Sequence, residues 1–353
     1  MRILYIGMEV VGKPKTGGEY GQLRNRALLQ KVSEKLTIIE IPKIGLFRHA
    51  INLLTGKSYG YTSNLIKKID LQLAHEYDYV FFDSSVYGYL VKYVKMKGFN
   101  TIVFFHNVEY DFYKAKYQSQ KNFMNYVLIY YTKQQEHLSI QYADKTVTLN
   151  ERDSKGLLET YGRKSDFVSP IFYRKLTKES LAHNCGTNIK YLLFVGANFC
   201  ANNDGMEWFI KQVCPYINVN IYVAGSCCKV LESKIDISKY PNVKLLGFVD
   251  DLDGLYKNAV GVICPIFAGS GMKTKTIEAM MYGKTIFGTT EAFEGIHVEG
   301  DKIGGICNTK EDFIKTINGF DLKPFNEYSY EMFCAYFSED VVVPKFKTFI
   351  ETK

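Results

Sequence analysis

Short apolar runs recur along the chain, separated by longer stretches whose apolar positions fall at helical spacing. In the first half the runs at 2–7, 36–41, 79–82, 101–105 and 145–149 predict strands. Between them, Leu23, Ala27, Leu28 and Val32 mark one helical face, and 44–76 reads as mainly helical. Residues 164–186 mix charge with Pro170 and show no period, which predicts a linker. The strand pattern then restarts at 191–196, 219–225, 243–247, 260–265, 285–288 and 304–307. Strands alternating with helices predict parallel sheets, whose ligands bind beyond the carboxyl ends of the strands. The expected architecture is α/β with two Rossmann-like domains, 1–172 and 186–330. Ser338-Glu339-Asp340 is a cap signature for a terminal helix in 331–353, with Val341, Val342, Phe346 and Phe349 as its apolar positions.

Composition narrows the class. The 353 residues suffice for two cores, and 46% apolar with 15% aromatic content describes a folded globular protein. No apolar run approaches the roughly 18–20 residues that span a bilayer. Met1 leads straight into the first strand, so no signal peptide is expected, and the expected location is cytoplasmic. All eight cysteines fall between Cys185 and Cys334 without a Cys-x-x-Cys pair, a pattern of reduced thiols rather than a metal or disulfide framework. Net charge is +7, and it is uneven: residues 1–175 hold 26 Lys+Arg against 16 Asp+Glu, while the remainder hold 18 against 21. The basic half is expected to meet something anionic: lipid, a phosphorylated acceptor or nucleic acid.

Three stretches carry candidate chemistry. Gly269-Ser270-Gly271-Met272-Lys273-Thr274-Lys275-Thr276-Ile277-Glu278 runs from a buried strand into a helix. Free N–H groups and lysines converging at a helix start suit a diphosphate; the alternative is an ordinary βα loop with solvated lysines. Gly17-Gly18 lies in a predicted loop from Met8 to Glu19, where backbone could approach a ligand, although Gly-x-Gly-x-x-Gly is not met. His106, with Glu109 three residues on, closes the fourth strand. Residues 112–133 carry four lysines, no acid and seven aromatics, which reads either as a core helix with lysines outward or as a helix lying in a membrane interface. Helical periodicity argues against a stacking sheet, and no nucleic-acid partner is expected.

The series Leu193-Phe194-Val195-Gly196, Val223-Ala224-Gly225-Ser226, Leu246-Gly247-Phe248-Val249-Asp250, the stretch from Gly269 to Met280, and Tyr282-Gly283-Lys284 resembles the donor domain of GT-B glycosyltransferases of the group 1, family 4 type. The likeness covers most of 190–300; in the first half it rests on Gly17-Gly18 and on His106-Asn107-Val108-Glu109. It implies a nucleotide-sugar donor, UDP- or GDP-linked, with no other cofactor and no metal. It also implies retention of anomeric configuration and a terminal helix crossing back to the first domain. By the same resemblance Glu278 would bind ribose hydroxyls, and Gly271 and Met272 would offer N–H groups. Gly269, Ser270 and Thr274 would share that cradle, with Asn198 beside it. Lys273 or Lys275 would steady the leaving diphosphate, Gly17-Gly18 would cover it, and His106 would meet the sugar. Glu109 is the acceptor-side candidate.

Two departures stand out. The family's Glu-x7-Glu pair would place its first acid at Ser270, and the Arg and Lys expected after the Val-Gly strand are absent. The leading expectation is sugar transfer to a glycan or lipid-linked acceptor in cell-surface polysaccharide synthesis, at the inner membrane face, with peripheral contact to anionic lipid through the basic half. A nucleotide-sugar epimerase of the same fold and a non-catalytic glycosyltransferase-like partner subunit are the alternatives.

Overall fold

The computed structural model describes residues 1–12, 14, 17–181 and 190–352. It divides into two compact units, 1–170 with 343–353, and 171–342. The first holds a sheet of six parallel strands: β1 (Arg2–Met8), β2 (Lys35–Ile41), β3 (Tyr79–Phe82), β4 (Thr101–Phe105), β5 (Lys145–Thr148) and β6 (Phe167–Val168). Their order is β2-β1-β3-β4-β5-β6. The second holds β7 (Tyr191–Val195), β8 (Asn220–Ala224), β9 (Val243–Gly247), β10 (Gly261–Cys264), β11 (Thr285–Gly288) and β12 (Gly304–Ile306). These run β12-β11-β10-β7-β8-β9, again all parallel. Both are doubly wound sheets whose strand order reverses once, between β1 and β3 and between β7 and β10. Ligands of such sheets bind outside the carboxyl ends at that reversal.

The strands read as unbroken apolar runs because helices cover both faces of a parallel sheet. Ile3–Ile6, Val80–Phe82 and Phe194 are fully buried, as are Ile263 and Phe287. Each such side chain contributes about 1.5–3 kcal/mol relative to exposure. The two-residue β6 lies inside the stretch read as a linker, and it is too short to show a period. Hydrogen bonds hold it to β5: Ser169 N donates to Thr148 O at 2.8 Å, and Asp166 Oδ2 accepts from Thr146 N at 2.8 Å. The predicted linker's later part lies outside the described residues.

Two further points differ from the sequence reading. Gly17 and Gly18 do not lie in a loop; they open the helix Gly17–Val32 as exposed first-turn residues. The helix Phe123–Tyr142 is not a core helix with an apolar inner face. Its buried positions include Asn125, Thr132, Gln135, Glu136 and Ser139, while Phe123 is 80% exposed and Tyr130 59%. Buried polar partners reverse the usual sense of the helix: Gln135 Oε1 accepts from Ser58 Oγ at 2.9 Å, and Ser139 Oγ donates to Ser85 O at 2.7 Å.

At the other end, the segment read as one terminal helix contains the end of Glu327–Tyr336 and then Glu339–Glu351. Pro344 sits inside the latter, next to the division between the units at Val342 and Val343. Proline lacks an N–H and cannot bond the preceding turn. Beyond it, Phe349 stacks on Phe167 with centroids 4.7 Å apart, and Lys145 Nζ donates to Phe349 O at 2.7 Å. No helix among the described residues is long and apolar enough to cross a membrane.

Candidate functional site

In the second unit the loops leaving β7 and β10 flank the strand-order reversal. The β10 loop reaches the helix Thr274–Met281 through Gly271, whose φ of 62° is a left-handed conformation that glycine alone adopts at little cost. Met272 is 6% exposed, so its side chain anchors the turn in the core. The β7 loop leads into the helix Cys200–Gln212, which approaches so closely that a Cβ on Gly205 would lie 1.9 Å from Pro265 O.

The motif's charged residues separate into distinct roles. Lys275 Nζ donates to Asn202 Oδ1 at 2.5 Å and lies 4.2 Å from the centroid of the Phe194 ring. Burial pulls its pKa down to about 8; Lys273 nearby works in the same sense, and Glu278 opposes. Three residues on and on the same helix face, Glu278 Oε2 accepts the Tyr256 hydroxyl at 3.0 Å. Burial raises the Glu278 carboxyl above the usual range, against the pull of Tyr256 and Lys275. Tyr256 in turn lies flat on Tyr282, 4.8 Å between centroids and 4° from parallel, and Tyr282 donates to Asp253 Oδ1 at 3.1 Å.

Lys273 points elsewhere. Its Nζ bonds Gly271 O at 2.8 Å and Glu291 Oε1 at 2.7 Å, in a pair whose side chains are 11% and 18% exposed. Sequence reasoning missed Glu291, which follows the next strand and lies 18 residues from its partner. Asn198 joins the site through Asn203, whose Nδ2 donates to Asn198 Oδ1 at 2.8 Å. The buried Asn203 Oδ1 finds no partner among the described residues. Asp251-Leu252-Asp253 is a helix start, with Asp253 N donating to Asp251 Oδ1 at 2.9 Å. Among the described residues no group of three His, Cys, Asp or Glu side chains could hold a metal ion.

In the first unit the polar cluster centres on Asp83, which is fully buried at the end of β3. It accepts from Tyr5 Oη at 2.5 Å and from Asn25 Nδ2 at 2.6 Å, and His106 Nε2 lies 2.9 Å from its Oδ1. A buried carboxylate on one imidazole nitrogen fixes that nitrogen as the protonated one and sets the ring's direction. The ring also lies against Gly21, where a Cβ would be 3.1 Å from Cε1 and Nδ1, one turn from Gly17 and Gly18. The candidates Gly17, Gly18 and His106 are therefore neighbours.

Glu109 opens the helix Glu109–Ser119, and burial raises its carboxyl above the usual range while Asn107 and His106 oppose. The first amides of that helix, Glu109 N and Tyr110 N, donate to the buried Glu136 at 2.8 and 3.1 Å. Glu136 also takes the Tyr161 hydroxyl at 2.8 Å and Ser85 Oγ at 2.9 Å. Its carboxyl is pushed up to about 7 by burial, against those backbone donors. No sequence pattern marked Glu136, which sits mid-helix among polar residues.

Residues 189–318, within the second unit, match the family model described as Glycosyl transferases group 1. A curated relative, an uncharacterized 44.6 kDa protein in the cps region of Klebsiella pneumoniae, is 22% identical over 82% of this chain and 78% of its own length. Sucrose-phosphate synthase from Thermosynechococcus elongatus superposes with a TM-score of 0.72 at 13% identity, covering 98% of this chain and 97% of that one. Anabaena HepE in complex with UDP gives 0.68 at 14% identity, with both chains covered in full. WaaG, a glycosyltransferase involved in lipopolysaccharide biosynthesis, gives 0.65 at 15% identity over 99% of this chain and all of that one. The chain has the GT-B fold.

Proposed function

We propose that the protein transfers a sugar from a UDP- or GDP-linked donor to a glycan or lipid-linked acceptor in cell-surface polysaccharide synthesis. The observation that carries this is the pairing of the Lys275 ammonium and the Glu278 carboxylate on one helix face at the strand-order reversal of a group 1 domain. UDP in HepE and the lipopolysaccharide role of WaaG support the donor and acceptor classes.

In this reading Glu278 Oε2 stays with Tyr256 and Oε1 accepts from the ribose. The amides of Gly271 and Met272, and the first turn from Thr274, face the diphosphate. Gly269 and Ser270 shape the cradle, and Asn198 borders it through Asn203. Lys275 stabilises the charge that develops as the bond between anomeric carbon and phosphate oxygen breaks. Lys273, neutralised by Glu291, holds the loop in place. The acceptor oxygen attacks the face the diphosphate leaves, so configuration is retained, and its proton passes to the departing phosphate. With lysines and helix amides carrying the charge, the step needs no metal. His106 contacts the sugar in the orientation Asp83 imposes, Gly17 and Gly18 cover the phosphates, and Glu109 faces the acceptor. The basic first half meets anionic lipid at the inner membrane face.

Purified protein incubated with a panel of nucleotide-sugars should release nucleoside diphosphate, and Lys275→Ala or Glu278→Ala should lower that release about a hundredfold or more. Unchanged rates in both variants would refute the site. The epimerase alternative draws on Asp83, His106 and Glu109 standing together; a new nucleotide-sugar with no diphosphate released would establish it instead.

A further inference from the structure

The first unit carries two neighbouring helices that are inside-out, and their apolar sides face away from the core. On the helix Leu46–Leu54, Leu46, Phe47 and Leu54 are 88%, 82% and 88% exposed. Its one fully buried residue is polar: Asn52, whose Nδ2 donates to Tyr61 O at 3.2 Å. The helix Phe123–Tyr142 repeats the inversion, with Phe123, Met124 and Tyr130 outward and Gln135 and Glu136 inward. The two touch: Gln135 Nε2 donates to Gly56 O at 2.9 Å and Tyr131 Oη to Lys57 O at 3.1 Å, with the His49 ring edge-on to Tyr131. Side chains of this size left in water on adjacent helices mark a surface that something covers.

Charge says what. Residues 41–69 contain five basic side chains and no acid, and 112–133 contain four and no acid. Lys43, Arg48 and Lys121 are exposed at the ends and flanks of the apolar faces. Lys57 lies 4.3 Å from the Tyr61 centroid and Lys133 5.1 Å from that of Tyr110, cation and aromatic ring together. A second copy of the same face would bring like charges together, and a protein partner would need a matching acidic, apolar groove. A bilayer with anionic headgroups supplies apolar depth and negative charge at once.

We infer that the helix Leu46–Leu54, with the outward face of the first two turns of Phe123–Tyr142 beside it, is the element that docks the protein on an anionic lipid surface. Leu46, Phe47 and Leu54 enter the headgroup boundary, and the flanking cations hold the headgroups. This deepens the membrane part of the function proposed above and is independent of its sugar chemistry.

The test is co-sedimentation of the full chain with vesicles of phosphatidylglycerol and phosphatidylcholine, compared with phosphatidylcholine alone. Wild type should bind the anionic vesicles at low salt, at least tenfold more tightly than the neutral ones. The triple variant Leu46→Ser, Phe47→Ser, Leu54→Ser should lose at least tenfold in partitioning. Its thermal unfolding should stay unchanged because the replaced side chains already face water. Lys43→Glu with Arg48→Glu should abolish the preference for anionic lipid. Nucleotide-sugar turnover by the triple variant, measured without vesicles, should match wild type, which separates failure of docking from failure of the site. Equal binding by triple variant and wild type would overturn the inference. So would a concentration-dependent dimer that the triple variant dissolves, since the face would then belong to a second copy.

Discussion

Raising the pH from about 7 to about 9 should switch off donor capture while the fold stays intact. Lys275 is the group responsible. Burial beside Phe194, with Asn202 Oδ1 as a neutral acceptor, brings its pKa to about 8 from 10.5, a cost of about 3 kcal/mol for keeping the ammonium charged. Its protonated fraction then falls from roughly nine-tenths at pH 7 to roughly one-tenth at pH 9. If the ammonium holds the donor diphosphate, kcat/KM falls about tenfold across that window, with its half-point near 8, because kcat/KM reports groups of the free enzyme. Bound diphosphate favours the charged form, so the same limb in kcat should lie at higher pH.

Deprotonation of Lys275 does not itself favour unfolding, and the sign shows why. The folded lysine binds its proton less tightly than the unfolded one, so between about 8 and 10.5 the unfolded chain holds more protons. This group therefore makes stability rise over the interval in which activity falls. The measurement is diphosphate release from about pH 6 to 9.5, with thermal unfolding in the same buffers. Lys275→Arg keeps its charge throughout, and its alkaline limb near 8 should disappear. A limb that persists near 8 in Lys275→Arg, or a wild-type rate flat to pH 9.5, refutes the reasoning.

Two substitutions test the scaffold, one within each unit. Asp83→Asn replaces an acceptor of three bonds with a group that turns an NH2 toward one of its donors, and should cost about 2–4 kcal/mol in urea unfolding. Asp83→Asn should also slow turnover, because His106 loses the partner that sets its protonated nitrogen; full activity at unchanged pH dependence would make the cluster purely structural. Gly205→Ala puts a methyl 1.9 Å from Pro265 O, so helix and loop must part, at a cost of about 1–3 kcal/mol read as a lower Tm. Donor affinity should fall with it, since that helix carries Asn202 and Asn203.

What the sequence showed followed from burial. Strands such as Ile3–Ile6 and Val262–Cys264 are covered on both faces, so their apolar runs need no partner to be recognised. β6, with two residues and an Asp166 bond as its hold, leaves no such mark. The Lys275 and Glu278 pair was legible because it is local, three residues apart on one helix. Glu291 and Asp83 were not, because their partners come from other strand ends, and only the sheet order brings Glu291 to Lys273 or Asp83 to His106. A carboxylate at the end of a neighbouring strand is invisible to any motif of fixed spacing.

Glu291 also bears on the missing acid at Ser270. A Cβ on Gly269 would lie 3.3 Å from Lys273 Cε and 3.6 Å from Glu291 Oε1, so the loop backbone folds directly over this ion pair. The pair is largely shielded from water, where a charge–charge contact is worth more than at the surface. A negative group therefore stands beside the loop even though the motif lacks one, supplied from the end of β11. Its charge is spent on Lys273, which leaves Lys275 as the cation of the motif that faces Asn202 and the β7 loop. The two lysines that look equivalent in sequence are separated by what reaches them across the sheet: Lys273 fastens the turn, and Lys275 keeps a proton that burial has made easy to lose.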